Sequence, residues 1–64
     1  MEFSPKKFKE LRESKGLTQI QVDKIANYKS TSTHKIETGR MKPSMDKLIA
    51  ICMAFGCSLE DFME

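Results

Sequence analysis

Between Thr18 and Gly39 the chain carries side chains better suited to touching a polyanion than to running a reaction. Ser30, Thr31, Ser32 and Thr33 place hydroxyls in a row, and His34 and Lys35 add an imidazole and an ammonium. Hydroxyls both donate and accept, so they can meet either kind of group on a base-pair edge, while lysine favours guanine. Catalytic chemistry finds little here. There is no Gly-rich phosphate loop, no His-x-Glu pair and no nucleophile beside an evident base. Zinc is not expected either, because His34 with Cys52 and Cys57 matches no ligand spacing. The two cysteines, on either side of Gly56, read as small core hydrophobes rather than a disulfide. The expectation is a non-enzyme with no metal, no cofactor and no small-molecule substrate.

These residues must be held by a small scaffold. The chain has 64 residues, enough for one domain and one core. A chain of this size buries only about 60% of its unfolded surface. It is 39% hydrophobic and 31% charged, an ordinary globular composition. No apolar run approaches the roughly 20 residues that span a bilayer. Residues 1–15 are charged and lack the apolar stretch of a signal peptide, so a cytoplasmic protein without membrane contact is expected. Charge is unevenly spread. Residues 1–16 hold five basic and three acidic side chains, residues 17–43 five and two, and residues 44–64 one and four. The net of +2 therefore conceals two basic thirds and an acidic one, an asymmetry that suits a polyanion on one side.

Punctuation along the chain predicts five short helices and no strand. Ser4-Pro5 reads as N-cap and first helical residue, with Phe3 and Phe8 as a hydrophobic staple, and Lys15-Gly16 as the end. That gives a first helix over Pro5–Lys15. Thr18-x-x-Gln21 is a capping box stapled by Leu17 and Val22, and Asn27 is a natural left-handed terminator. A second helix over Gln19–Ala26 follows, with Val22, Ile25 and Ala26 on its inner face. A third begins near Ser30 and stops at Gly39, despite the poor propensity of four consecutive Ser and Thr residues. Ser44 caps a fourth, whose apolar stripe is Met45, Leu48, Ile49, Cys52 and Phe55, widened by Ile51 and ended by Gly56. Ser58 and Asp61 cap a fifth over Leu59–Met63, stapled by Cys57 and Phe62.

Thr18 to Gly39 has the layout of two short helices joined by a tight turn, a helix-turn-helix. The chain at this point resembles the Cro and phage-repressor type of helix-turn-helix, the XRE family. The residues that carry the likeness are Phe8-Lys-Glu-Leu-Arg12, Lys15-Gly-Leu-Thr-Gln19, Lys35-Ile-Glu37, Gly39-Arg40, Lys42-Pro-Ser44 and Leu59-Glu-Asp-Phe62, so it covers about residues 6–62. The resemblance implies an all-α, lambda-repressor-like domain over 1–64 that acts as a transcription regulator, most simply a repressor, on double-stranded DNA. It implies roles residue by residue. Ser30, Thr31, His34 and Lys35 would read bases in the major groove from the third helix. Arg12, Gln19, Thr38, Arg40 and Lys42 would hold phosphates, and Arg12 would also pair with Glu37.

Departures from that pattern set questions for the structure. Asp23 stands where the family has alanine, Asn27 where it has glycine, and Lys29 where it has serine. A carboxylate at a helix–helix contact needs partners, such as Lys24, His34 or backbone donors near Ser30. Other readings stay open: Ser30–Thr33 as a solvated turn, an antitoxin-type regulator with a protein partner, or an interaction module that has lost DNA binding. One module of this size offers DNA a small surface, so a homodimer on a two-fold-symmetric operator is expected. The acidic C-terminal third would supply the contact through Ile49, Met53, Phe62 and Met63, apolar residues in excess of one small core.

Overall fold

Every helix except one begins where its own side chain takes up an orphan amide of the first turn. The structure, a computed structural model, describes residues 2–64; Met1, the first residue of the expected domain, lies outside the described residues. Helix α1 spans Pro5–Ser14, with the Ser4 hydroxyl accepting from the Lys7 amide at 3.1 Å. Helix α2 spans Gln19–Ile25 behind the full Thr18–Gln21 capping box, at 3.1 and 2.8 Å. Helix α3 spans Ser32–Glu37 and has no cap of its own. Helix α4 spans Met45–Phe55, started by Ser44 and ended by Gly56 in the left-handed conformation.

The expected fifth helix is a single 3-10 turn, Leu59–Phe62. Its amides bond three residues back, Asp61 to the Ser58 carbonyl and Met63 to the Glu60 carbonyl, both at 3.1 Å, the tighter 3-10 spacing. The Ser58 amide still donates to Asp61 Oδ2, at 3.0 Å. The third helix begins two residues later than expected, for a reason given below. Among the described residues no strand forms. The two ends of the chain meet instead in an isolated antiparallel bridge between Phe3 and Met63. Glu2 and Glu64 exchange backbone hydrogen bonds there, and the Lys7 ammonium donates to the Met63 carbonyl at 2.6 Å.

One core joins all five elements: Phe8 from α1, Val22 and the adjoining Ala26, Ile36 from α3, Leu48, Ile51, Cys52 and Phe55 from α4, and Phe62. This core overturns the expected place of Phe62 in a dimer contact and the expected inward stripes of α2 and α4. Phe62 is wholly buried, its ring 5.2 Å from that of Phe8 and 6.4 Å from that of Phe55, so it cannot meet a second chain. Met63 is half-buried and packs against the same core. The inner stripe of α4 is Leu48, Ile51, Cys52 and Phe55, which leaves Met45 and Ile49 outside with Met53; Ile25 likewise turns outward from α2. These side chains lie on the flanks of their stripes, away from the core that Phe8, Phe55 and Phe62 share.

Candidate nucleic-acid interface

The turn between α2 and α3 is built by carbonyls and one lysine. Asn27 takes a φ of 56°, the left-handed conformation its short polar side chain tolerates. The Tyr28 amide donates back to the Asp23 carbonyl at 2.8 Å, and the Lys47 ammonium, from α4, donates to the Ala26 carbonyl at 2.8 Å. A cation at a helix C-terminus satisfies free carbonyls and complements the helix dipole. The same ammonium sits 5.2 Å from the Tyr28 ring centroid, a cation–π contact. Sequence reasoning missed Lys47 because its partners lie some twenty residues away along the chain.

Asp23 explains where α3 begins. Thr31, the residue before the helix, has a φ of 70° and gives no side-chain cap. The buried Asp23 carboxylate takes that place from α2. Its Oδ2 accepts from the Thr31 amide at 3.1 Å, and its Oδ1 accepts from the Thr33 amide at 2.7 Å and the Thr33 hydroxyl at 2.6 Å. Of the partners considered from sequence, the backbone donors near Ser30 are the ones used. Three hydrogen bonds satisfy a buried charge that would otherwise be strongly unfavourable.

The hydroxyl run divides accordingly. Ser32 and Thr33 point inward with Ile36 and are buried. Ser30 and Thr31 are exposed in the turn ahead of α3, not on it, and His34 and Lys35 are exposed on the helix itself. Thr38 is exposed, with its hydroxyl donating to the His34 carbonyl at 3.0 Å. After Gly39 the chain doubles back: the Arg40 amide donates to the Lys35 carbonyl at 2.8 Å, which sets Arg40 and Lys42, both exposed, beside the end of α3. Lys24 and Lys29, absent from the sequence-derived site, are exposed cations on the same motif. Among the described residues the one ion pair is Arg12–Glu37, so none of these cations has a carboxylate partner.

Arg12 and Glu37 form the ion pair that the resemblance implies. The Arg12 guanidinium donates to Glu37 through Nε at 2.6 Å and Nη2 at 3.1 Å, and to the Leu17 carbonyl through Nη1 at 2.7 Å. Its side chain is 9% exposed and that of Glu37 3%, so the pair is a buried tie between α1 and α3. The Gln19 amide donates to the same carboxylate at 3.0 Å. The Glu37 carboxylate on α3 thus holds α1 and the start of α2, and Arg12 holds the loop between them.

Burial, and secondarily the charge of Asp23, push the Tyr28 hydroxyl above its ordinary pKa of 10.0. That hydroxyl is buried and has no hydrogen-bond partner among the described residues. No group of three His, Cys, Asp or Glu side chains that could hold a metal occurs among them either. No helix among them is long and apolar enough to cross a membrane.

Two short helices at a tight turn, the second bearing exposed polar and cationic side chains, define a helix-turn-helix domain. Residues 8–62 match the helix-turn-helix family, and the chain belongs to that family, in its XRE branch. It is a DNA-binding transcription regulator. Its fold is similar to that of the restriction-modification controller protein C.AhdI from Aeromonas hydrophila, with a TM-score of 0.83 over 92% of this chain and 89% of that chain. The two are 19% identical, and the likeness is one of fold. No curated protein matches the chain.

Proposed function

We propose that the protein represses transcription by reading duplex DNA in the major groove with α3 and the turn before it. The observation that carries this reading is the pairing of two surfaces at one helix end. His34 and Lys35 stand exposed on α3 with Ser30 and Thr31 ahead of it, and the unpaired cations Arg40 and Lys42 stand just past it. Base-edge chemistry flanked by phosphate chemistry is the arrangement a DNA reader needs. Thr38, Arg40 and Lys42 are the phosphate contacts, with Lys29 added to them; the Gln19 amide keeps one hydrogen free for a phosphate beside its bond to Glu37. The fold shared with a controller protein supports a regulatory role.

The working form is a homodimer on a two-fold-symmetric operator, with half-sites about 34 Å apart. What supports this is the apolar stripe Met45, Ile49 and Met53, exposed along one side of α4. Met63, half-buried, stays a separate candidate for the contact. Selection of bound duplexes from a random pool tests the reading. A symmetric consensus is expected, and Lys35→Ala is expected to lose roughly 1–3 kcal/mol on it while relaxing choice at one base pair. Equal loss on selected and random duplexes would remove α3 as the reader.

A further inference from the structure

Thr31 is β-branched and holds a φ of 70°, a conformation that such residues rarely adopt and that persists only where the surroundings enforce it. The enforcing group is on another helix. Asp23 takes the Thr31 amide on one carboxylate oxygen and the Thr33 amide and hydroxyl on the other. Between these two grips the chain makes its bend: the Ser32 amide donates to the Lys29 carbonyl at 3.2 Å, and helical geometry starts only at Ser32. Neither Lys29 nor Ser30 caps α3. Without Asp23, nothing on α3 or in its turn would take up the Thr31 and Thr33 amides. The chain would then relax Thr31 to negative φ and move the side chains of Ser30 and Thr31 relative to His34.

We infer that Asp23 is the positioning residue of the reading head: by gripping Thr31 and Thr33 it fixes where α3 begins and so which base edges Ser30, Thr31 and His34 can reach. This rests on the reading of α3 as the DNA reader. Asp23 is itself buried and presents almost no surface to a duplex. Its effect is on which bases are preferred, and a residue that merely stabilised the fold would change affinity for every duplex together.

The experiment compares wild type with Asp23→Asn and Thr31→Ala, measuring amide hydrogen exchange at Thr31 and Thr33 and base preference by duplex selection. In D23N the two amides are expected to exchange at least about tenfold faster than in wild type. Base preference is expected to shift at the same base pairs that T31A alters, with the salt dependence of binding unchanged. Exchange as in wild type, or preferences as in wild type with only stability reduced, would overturn the inference. If D23N alone does not fold, D23N is made in a Thr31→Gly background, where the left-handed backbone is unstrained. Against T31G, the double variant then either shifts the preferences around Ser30 and His34, as inferred, or leaves them, which refutes it. A wild-type protein that selects no duplex would sink the DNA reading instead, and faster exchange in D23N would still separate the grip of Asp23 from that failure.

Discussion

Arg12 grips Glu37 through two nitrogens, at 2.6 and 3.1 Å, and the pair is buried between α1 and the end of α3. With Gln19 and the Leu17 carbonyl it forms a closed knot behind the reading helix. Removing one partner leaves the other charge buried and unpaired, which destabilises by about 3–5 kcal/mol. Arg12→Ala is therefore expected to lower the urea midpoint sharply. Because the guanidinium is committed to this buried pair, the slope of affinity against salt is expected to stay as in wild type, measured where the variant is still folded. A slope flattened by one phosphate would return Arg12 to the interface.

Lys42 is the opposite case. It is exposed, unpaired and set just past α3. Lys42→Ala is expected to leave thermal stability within about 0.5 kcal/mol, as for most surface changes. It is expected to flatten the log–log salt slope by about 0.9 and to weaken selected and random duplexes alike. Titrations at three or more salt concentrations give the answer directly.

The α4 stripe separates dimerisation from folding. Met53 is 79% exposed, so a charge there meets only solvent in a single chain. Met53→Lys is expected to keep the melting temperature of the isolated chain and to abolish association in the ultracentrifuge. Phe62→Ala is expected to do the reverse of a dimer mutation, costing about 3–5 kcal/mol of fold stability through the cavity it leaves. A fully associated Met53→Lys protein would move the dimer contact off α4.

Alkali is expected to weaken the fold through two protons. Burial, then the hydrogen bond and charge of Cys52, push the Cys57 thiol from 9.0 up to about 11, and burial raises Tyr28 above 10.0. The folded state holds these protons longer than the unfolded chain does. Their stabilising effect is complete below the ordinary values and is lost as pH climbs through the raised ones. Urea midpoints are expected to fall between pH 9 and 11, less steeply in Cys57→Ser. Tyr28→Phe, which deletes a buried hydroxyl without a partner, is expected to be neutral or to gain about 1 kcal/mol at pH 7. A clear loss at pH 7 would mean the hydroxyl has a partner in solution.

The sequence by itself determined the signals that act within a turn of the chain. Ser4, Thr18 and Ser44 cap their own helices, and Asn27, Gly39 and Gly56 stop the backbone with positive φ, because each needs only neighbours a few residues away. The family pattern added Arg12–Glu37, whose partners no local rule connects. Tertiary structure decided the rest. Phe62 looked like surplus apolar surface and is core, because its fate depends on what Phe8 and Phe55 leave open. Lys47 closes α2 from another helix, and Asp23, conspicuous in sequence as a carboxylate needing partners, found them on the far side of a turn. A cap within one helix is fixed by chain connectivity. A cap supplied across helices exists only once packing has brought the two elements together, and the start of α3 is set by that packing.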